Sequence, residues 1–498
     1  MLSIDPWRLL WKAALEKAKA MIAANSEALG QFGTPSARSG AAATFSRQMN
    51  GRLFLLYCTA AAADFHSSKQ GGTAWQVAVS FISTLAFVLF LLNARRPRAR
   101  LRSLQRITWL WWIYLATTPF IAFWRDVPAG HYLRIMLPTL LMGESLIMGL
   151  LLLSESEDNA RLIFRGLFYA SAVSSVVYLV RGLTMGLGLQ NVRYYILSPL
   201  LIVLFSLALC RLLFEGAKAG LINIVGLAGS LMIIFLSVTR TYFAGIGVIL
   251  LLLAFALLRP PAWLNQKVRH RLKRNLLGLT GALIILAAIA IAAFPGVVAH
   301  WSERNASLGA QDPTALTRIA EAAGEIQAMK KDKSHLFFGS GIGAEHKNDP
   351  RYLIGVSALV GEDYSAYTFS PGHIGWVYQF FTSGLLMGWV LPFIFLFAIW
   401  KGNMHDAPYI ARLAAIAVAA ALAITTLGNM LGDRGAGLGL GLLIALALHG
   451  ERNRRNGAQR ARRGQNTRFL PAQPRPATAP QQGVDAPLPA SPRTPEGI

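Results

Sequence analysis

Residues 221–258 read LINIVGLAGSLMIIFLSVTRTYFAGIGVILLLLAFALL. A single helix over this run would be about 57 Å long at ~1.5 Å per residue, nearly twice the ~30 Å hydrocarbon core of a bilayer. One crossing is too few. Ser237-Val238-Thr239-Arg240-Thr241 interrupts the apolar sequence, so the run predicts two spans, 221–238 and 240–258, joined by a tight hairpin with Arg240 near its turn. Comparable runs lie at roughly 53–64, 74–93, 107–124, 131–153, 161–180, 191–214, 276–298, 374–400, 408–428 and 432–449. Together they predict an all-α polytopic membrane protein of about 12 transmembrane helices, with one large loop between the ninth and the tenth.

Composition agrees. The chain is 54% hydrophobic and 14% charged, with mean hydropathy +0.43, whereas soluble domains carry roughly 25% charged residues. A soluble enzyme is excluded on that ground. The net charge of +24 would suggest nucleic acid in a soluble protein. Here the basic residues sit in short connections between apolar runs, where they hold loops on the cytoplasmic side and meet anionic headgroups. Membrane lipids, not nucleic acid, are the expected partner of this charge.

Three basic clusters set the expected orientation. Arg95, Arg96, Arg98, Arg100, Arg102 and Arg106 follow the second run. Arg259, Lys267, Arg269, Arg271, Lys273 and Arg274 follow the eighth, and Arg452, Arg454, Arg455, Arg460, Arg462 and Arg463 the twelfth. All follow even-numbered spans, which predicts cytoplasmic termini and an outward Arg240 and loop. The chain then divides into a cytoplasmic segment over 1–50, spans one to nine over 51–298, an outward loop over 299–373, spans ten to twelve over 374–449, and a basic, Pro-rich tail over 450–498. Within the first segment Trp7, Leu10, Trp11, Ala14, Ala18 and Met21 form a stripe opposite Lys12, Glu16 and Lys19, suiting a helix on the membrane surface rather than a cleaved signal peptide. Cys58 and Cys210 lie within apolar runs and read as small buried hydrophobes.

Chemistry is narrowed by absence. The sequence holds no phosphate-binding Gly-x-x-x-x-Gly-Lys-Ser/Thr loop, no Asp-x-Asp pair and no His-Glu-x-x-His run, so neither ATP-driven work nor a metal site is expected. The outward charges remain. Arg240 is either a snorkelling helix-end residue or an anion site, because guanidinium grips phosphate oxygens in pairs and stays charged. In the loop, Asp312 and Pro313 predict a helix start, and Leu316, Ile319, Ala323 and Ile326 an apolar stripe with Arg318 off it. Arg318 is either an ion-pair partner of Glu321 at i+3 or a second anion ligand. Gly339-Ser340-Gly341-Ile342-Gly343 has no dinucleotide-binding context. His373, at the junction of loop and tenth span, is either an interfacial residue or a base suited to neutral pH. Asp433 and Arg434, between the last two spans, are again outward. Within the membrane, Arg134 and Glu144 are the main charges.

Four of these features, in order, resemble the O-antigen ligase and polysaccharide polymerase superfamily of bacterial inner membranes. Ser237-Val238-Thr239-Arg240 resembles its first arginine motif and Thr317-Arg318 its second. Phe338 to Gly343 is similar to its glycine-rich segment, and His373-Ile374-Gly375 through Gly384-Leu385-Leu386-Met387-Gly388 looks like its closing His…Gly-x-x-x-Gly stretch. The likeness covers about residues 190–449. It departs at Ile374, where many members carry a polar residue, and over 344–372.

The resemblance implies a GT-C-like fold with a periplasmic loop, and a glycosyltransferase of the inner membrane that uses neither nucleotide sugar, cofactor nor metal. Its donor would be a glycan on undecaprenyl pyrophosphate; its acceptor, a growing glycan in a polymerase or lipid A-core in a ligase. Other polysaccharide assembly proteins are implied partners. Arg240 and Arg318 would bind the pyrophosphate and His373 would deprotonate the acceptor hydroxyl, inverting the anomeric carbon. Arg193, at the start of the sixth span, is a further phosphate candidate, and Asp433 an orienting group for Arg434 or a binding arginine. Tyr364, Tyr367 and Trp376 could stack on sugars or form an interfacial belt. The rival reading is a flippase for the lipid-linked sugar, for which repeat halves and a charged central cavity are expected.

Overall fold

A computed structural model describes residues 39–63, 74–94, 102–156, 158–184, 195–258, 264, 266–306, 313–353, 367–368, 372–428 and 434–449. The expected surface stripe at the N-terminus and the basic tail lie outside these residues. The described chain is mostly helical. It opens with α1 (Ser39–Ala62), α2 (Ala74–Asn93), α3 (Arg102–Trp124), α4 (Ala129–Glu155) and α5 (Asn159–Thr184). α6 (Leu201–Glu215), α7 (Leu221–Ser237), α8 (Thr241–Leu258) and α9 (Gln266–Ala293) follow. The loop carries α10 (Pro295–Ala306), α11 (Pro313–Met329), α12 (Lys333–Phe338) and two short antiparallel strands, β1 (His346–Lys347) and β2 (Tyr367–Thr368). α13 (Gly375–Met387), α14 (Val390–Gly402), α15 (Tyr409–Leu427) and α16 (Arg434–Leu448) complete the bundle.

The 221–258 run is broken into two helices, α7 and α8, as its length requires, with α8 long enough to cross a membrane and α7 a shorter apolar helix. α7 ends at Val238, whose φ of 50° and ψ of 39° place a β-branched residue in the left-handed region, a strained position that reverses the chain. Ser237 Oγ donates to the Ile234 carbonyl and Thr239 Oγ1 to that of Ser237, satisfying groups the break leaves open.

Among the described residues, six helices are long and apolar enough to cross a membrane: α4, α5, α8, α15, Ile107–Trp124 of α3 and Val268–Ala293 of α9. The count becomes seven if α13 and α14 are one broken span. This is fewer than the 12 expected: Ala78–Asn93, Leu221–Ser237 and Gly435–Leu448 are apolar but only 10–17 residues long, and two further runs also fall short of a straight span. The sixth run yields α6, whose 15 residues reach about 22 Å at 1.5 Å per residue, short of the ~30 Å core. The tenth run, 374–400, is not a straight helix. Gly384 takes φ 65° and ψ −177°, and the α13 and α14 axes meet at 98°.

The core is built around α4, α6, α15 and α16. α6 is buried over nearly its whole length. α16 approaches α4 backbone to backbone: a Cβ on Gly437 would collide with the Pro138 carbonyl, one on Gly441 with Ser145 Oγ and the Met142 carbonyl, and Ala445 sits against Gly149. Small residues at i, i+4 and i+8 suit membrane interfaces, where close van der Waals approach replaces the hydrophobic drive. The partners advance together along both helices, so α4 and α16 run parallel.

This packing assigns helix ends to the two ends of the bundle. At one end Asn50 Nδ2 donates to Glu155 Oε1 (2.7 Å) and Asn93 Nδ2 to Asn50 Oδ1 (2.7 Å), tying α1 and α2 to the end of α4. Arg211 packs over Phe164 near the start of α5, and Tyr409 OH donates to Glu215 (3.1 Å), adding the end of α6 and the start of α15. α8 runs antiparallel to α15, with Gly245 against Ile424 and Thr241 against Gly428, so Leu258 also belongs here, as does Leu448 of α16. The helix ends that lead into all three basic clusters therefore share one end of the bundle.

Candidate functional site

At the opposite end the loop is anchored to the break in α13. Ser340 and Gly341 donate their amides to the carbonyls of Phe381 and Thr382 (2.8 and 3.0 Å). Gly339, Gly341 and Gly343 have φ of 83°, 90° and 85°, and a Cβ on them would crowd the Thr382 carbonyl, Ala122 and His131 respectively. Arg125 clamps the same segment, donating Nε to the Gly339 carbonyl (3.1 Å) and Nη2 to Ser334 Oγ (2.8 Å). The glycines thus serve backbone approach.

α11 begins at Pro313, as predicted, but buries a different face. Ile319 and Ile326 of the expected stripe are exposed, while Ala320, Gly324 and Glu325 are buried. The reason is the segment that crosses it: Asp349 N donates to the Ala320 carbonyl (2.9 Å), and a Cβ on Gly324 would strike the Lys347 carbonyl. Backbone needs small residues beneath it. The turn toward Glu321 consequently faces α13.

There His373 meets Glu321. Glu321 Oε2 accepts from His373 Nδ1 (2.7 Å) and from the His373 backbone amide (3.0 Å). The imidazole is 53% exposed and the carboxylate 13%. Burial pushes the Glu321 carboxyl up, but the His373 ring and amide outweigh it and hold the group below its ordinary value. A carboxylate can only accept, so Nδ1 carries the proton in this bond. Glu321, which the sequence offered as an ion-pair partner for Arg318, bonds the histidine.

One turn along α11, Glu325 is 1% exposed and faces His346 of β1, also 1% exposed, with Oε1 3.7 Å from Nε2. Burial, then the Glu321 charge, raises Glu325 to about 9, and burial lowers His346 against the pull of Glu321. At neutral pH this pair is carboxylic acid and neutral imidazole. Glu325 also lies against Gly372, where a Cβ would meet its Oε1, so it abuts the backbone that carries His373.

Arg318, partly buried, is three residues before Glu321 and shares its helical face. Arg240 is partly buried at the start of α8. It belongs to the same end of the bundle: Thr241 abuts Gly428, and Thr426 Oγ1 accepts from Trp376 Nε1 (3.2 Å), three residues after His373. Arg193 and Asp433 lie outside the described residues, as does Tyr364. Arg434 opens α16 and Tyr367 is in β2, with their side chains outside the description.

No family model matches the chain, and no curated protein is significantly similar to it. Sequence reasoning named His373, Arg318 and Arg240 as candidates and Glu321 only as a partner for Arg318; it did not name Glu325 or His346. Their signal was present as two glutamates at i, i+4 on the loop helix and a second loop histidine.

Proposed function

We propose that the protein is an inverting glycosyltransferase of the inner membrane that moves a glycan from undecaprenyl pyrophosphate to an acceptor hydroxyl on the periplasmic face, as polysaccharide polymerase or O-antigen ligase. The observation that carries this reading is the Glu321–His373 dyad: Nδ1 is held by a carboxylate on an imidazole that is half exposed. A half-exposed imidazole so held can take a hydroxyl proton, help worth typically 10²–10⁴-fold. Glu321 fixes the tautomer and balances the imidazolium that forms, as in other carboxylate–imidazole pairs.

Sidedness supports the reading. The helix ends that lead into the basic clusters, Asn93, Leu258 and Leu448, gather at the end away from His373, and positive connections stay cytoplasmic, so on this reading His373, Arg240 and Arg318 face outward. Arg318 and Arg240 then meet the pyrophosphate and stabilise the charge that develops on it as the anomeric carbon is attacked from the opposite side. The acceptor oxygen bonds to that carbon, the bond to the pyrophosphate oxygen breaks, and the proton passes to His373 Nε2.

The deciding assay is transfer from a lipid-linked glycan donor by the purified protein, with two alternative acceptors. His373→Ala should lose ~10²–10⁴ in turnover while donor binding persists. Full activity of that variant would end the base assignment. Movement of intact donor across the bilayer without a new glycosidic bond would replace the enzyme with a flippase.

A further inference from the structure

At the basic end, a cleft of about 490 Å³ opens between α6, α7 and α9. We propose that it binds one anionic phospholipid of the adjoining leaflet, with its phosphate on Arg274 and one acyl chain along the apolar wall. The site is remote from His373 and does not depend on the transferase reading.

The shape favours a lipid. The lining runs on α9 from Arg274 and Asn275 to Leu286 and on α7 from Ile224 to Leu231. From Arg274 to Leu286 is about 18 Å at 1.5 Å per residue, close to the ~15 Å depth of one leaflet, half the ~30 Å core. The volume is within the roughly 300–1,000 Å³ of small-molecule sites. The wall is apolar except at its mouth. α9 meets α6 at its basic end but is otherwise exposed, only 6% of its apolar span being buried, so one wall of the cleft faces the bilayer.

The charge selects the headgroup. Asn275 is already engaged, donating Nδ2 to the carbonyls of Leu213 and Leu212 (2.9 and 3.3 Å) at the end of α6. Arg274 is exposed beside it, on the helix turn that also carries Arg271 and Lys273. Guanidinium pairs with phosphate oxygens in two-pronged fashion, and basic pockets between helices on the cytoplasmic side bind anionic headgroups. A zwitterionic lipid fills the same groove without that charge match.

The test is native mass spectrometry of the full chain, released from micelles containing phosphatidylglycerol or phosphatidylcholine of identical chains. Wild type should retain one phosphatidylglycerol in about tenfold preference. Arg274→Gln should abolish the preference. Gly278→Leu should reduce retention of both lipids; at Gly278 a Cβ meets nothing within 4 Å, so this variant fills the cleft without disturbing the core. Equal retention of the two lipids by wild type, or an unaltered preference in Arg274→Gln, overturns the proposal. So does displacement of the lipid by excess inorganic phosphate with no effect of Gly278→Leu, which would reduce the site to surface charge. A dimer in place of bound lipid would assign the cleft to a second copy of the chain and also overturn it.

Discussion

Glu321→Gln tests the dyad most directly. The change keeps size and removes charge at a group 13% exposed, 2.7 Å from His373 Nδ1. A hydrogen bond to a charged group is worth about 1.5–3 kcal/mol net, which at ~1.36 kcal/mol per tenfold predicts a fall in turnover of about 10–150-fold. The ceiling is the whole general-base contribution, ~10⁴-fold. Glutamine can also offer its amide N–H to Nδ1, which favours the wrong tautomer and drives the loss toward the upper figure. The assay is initial-rate transfer from lipid-linked donor, with donor binding followed by tryptophan fluorescence. His373→Ala and the double variant complete a cycle. Because Glu321 acts through His373, the double variant should be no slower than His373→Ala alone, residues working as a unit being non-additive. Turnover of Glu321→Gln within twofold of wild type, or losses that multiply in the double variant, would refute the reasoning.

Arg240→Lys should lose at least tenfold in turnover or apparent donor affinity in the same assay, since an ammonium cannot reproduce the paired contact; wild-type kinetics would reduce Arg240 to a helix-end anchor. Glu325 predicts a pH effect on stability. Its folded value near 9 exceeds the ~4.3 of an unfolded glutamate, so the folded state keeps a proton the unfolded chain releases. Stability should therefore decline as pH rises between those values, by up to ~1.4 kcal/mol per unit. Thermal midpoints in detergent should fall from pH 5 to 9 in wild type and stay flatter in Glu325→Gln. Gly441→Leu should prevent the close approach of α16 to α4, overpacking that costs about 1–3 kcal/mol or more, and lower the yield of monodisperse protein. Gly435→Ala, whose Cβ would sit 3.6 Å from Pro199 Cγ, should be recovered normally.

What the sequence made legible followed from lengths and charges. The mismatch between the 221–258 run and the bilayer forces a break, and the structure has one at Val238; the helix ends that lead into the basic clusters share one end of the bundle. The loop was less legible because its helix does not bury an apolar stripe. Hydrophobic periodicity detects side chains that pack on side chains, and α11 instead buries Ala320 and Gly324 under a crossing backbone. Ile319 and Ile326, which looked like core, are exposed. The same inversion hid Glu321. Its i+3 relation to Arg318 is visible along the chain, but its relation to His373, 52 positions later, exists only once α11 lies on α13.

The glycine-rich segment and the closing Gly-x-x-x-Gly stretch read as two weak motifs because each is half of one joint. In an unbroken helix the carbonyls of Phe381 and Thr382 would bond the amides four residues on. Gly384, with its positive φ, removes that option, and an unpaired backbone group at membrane depth costs several kcal/mol. The amides of Ser340 and Gly341 take those carbonyls. Neither side tolerates a side chain: a Cβ on Gly384 would meet the Phe337 carbonyl and the Gly339 amide, and one on Gly339 the Thr382 carbonyl and the Gly384 amide. The break in the span and the loop that fills it are thus mutually required. Glu321 belongs to the loop, through α11 and α12, and His373 directly precedes α13, so this joint fastens together the two elements that carry the dyad, whose own bonds run from the His373 ring and amide to Glu321.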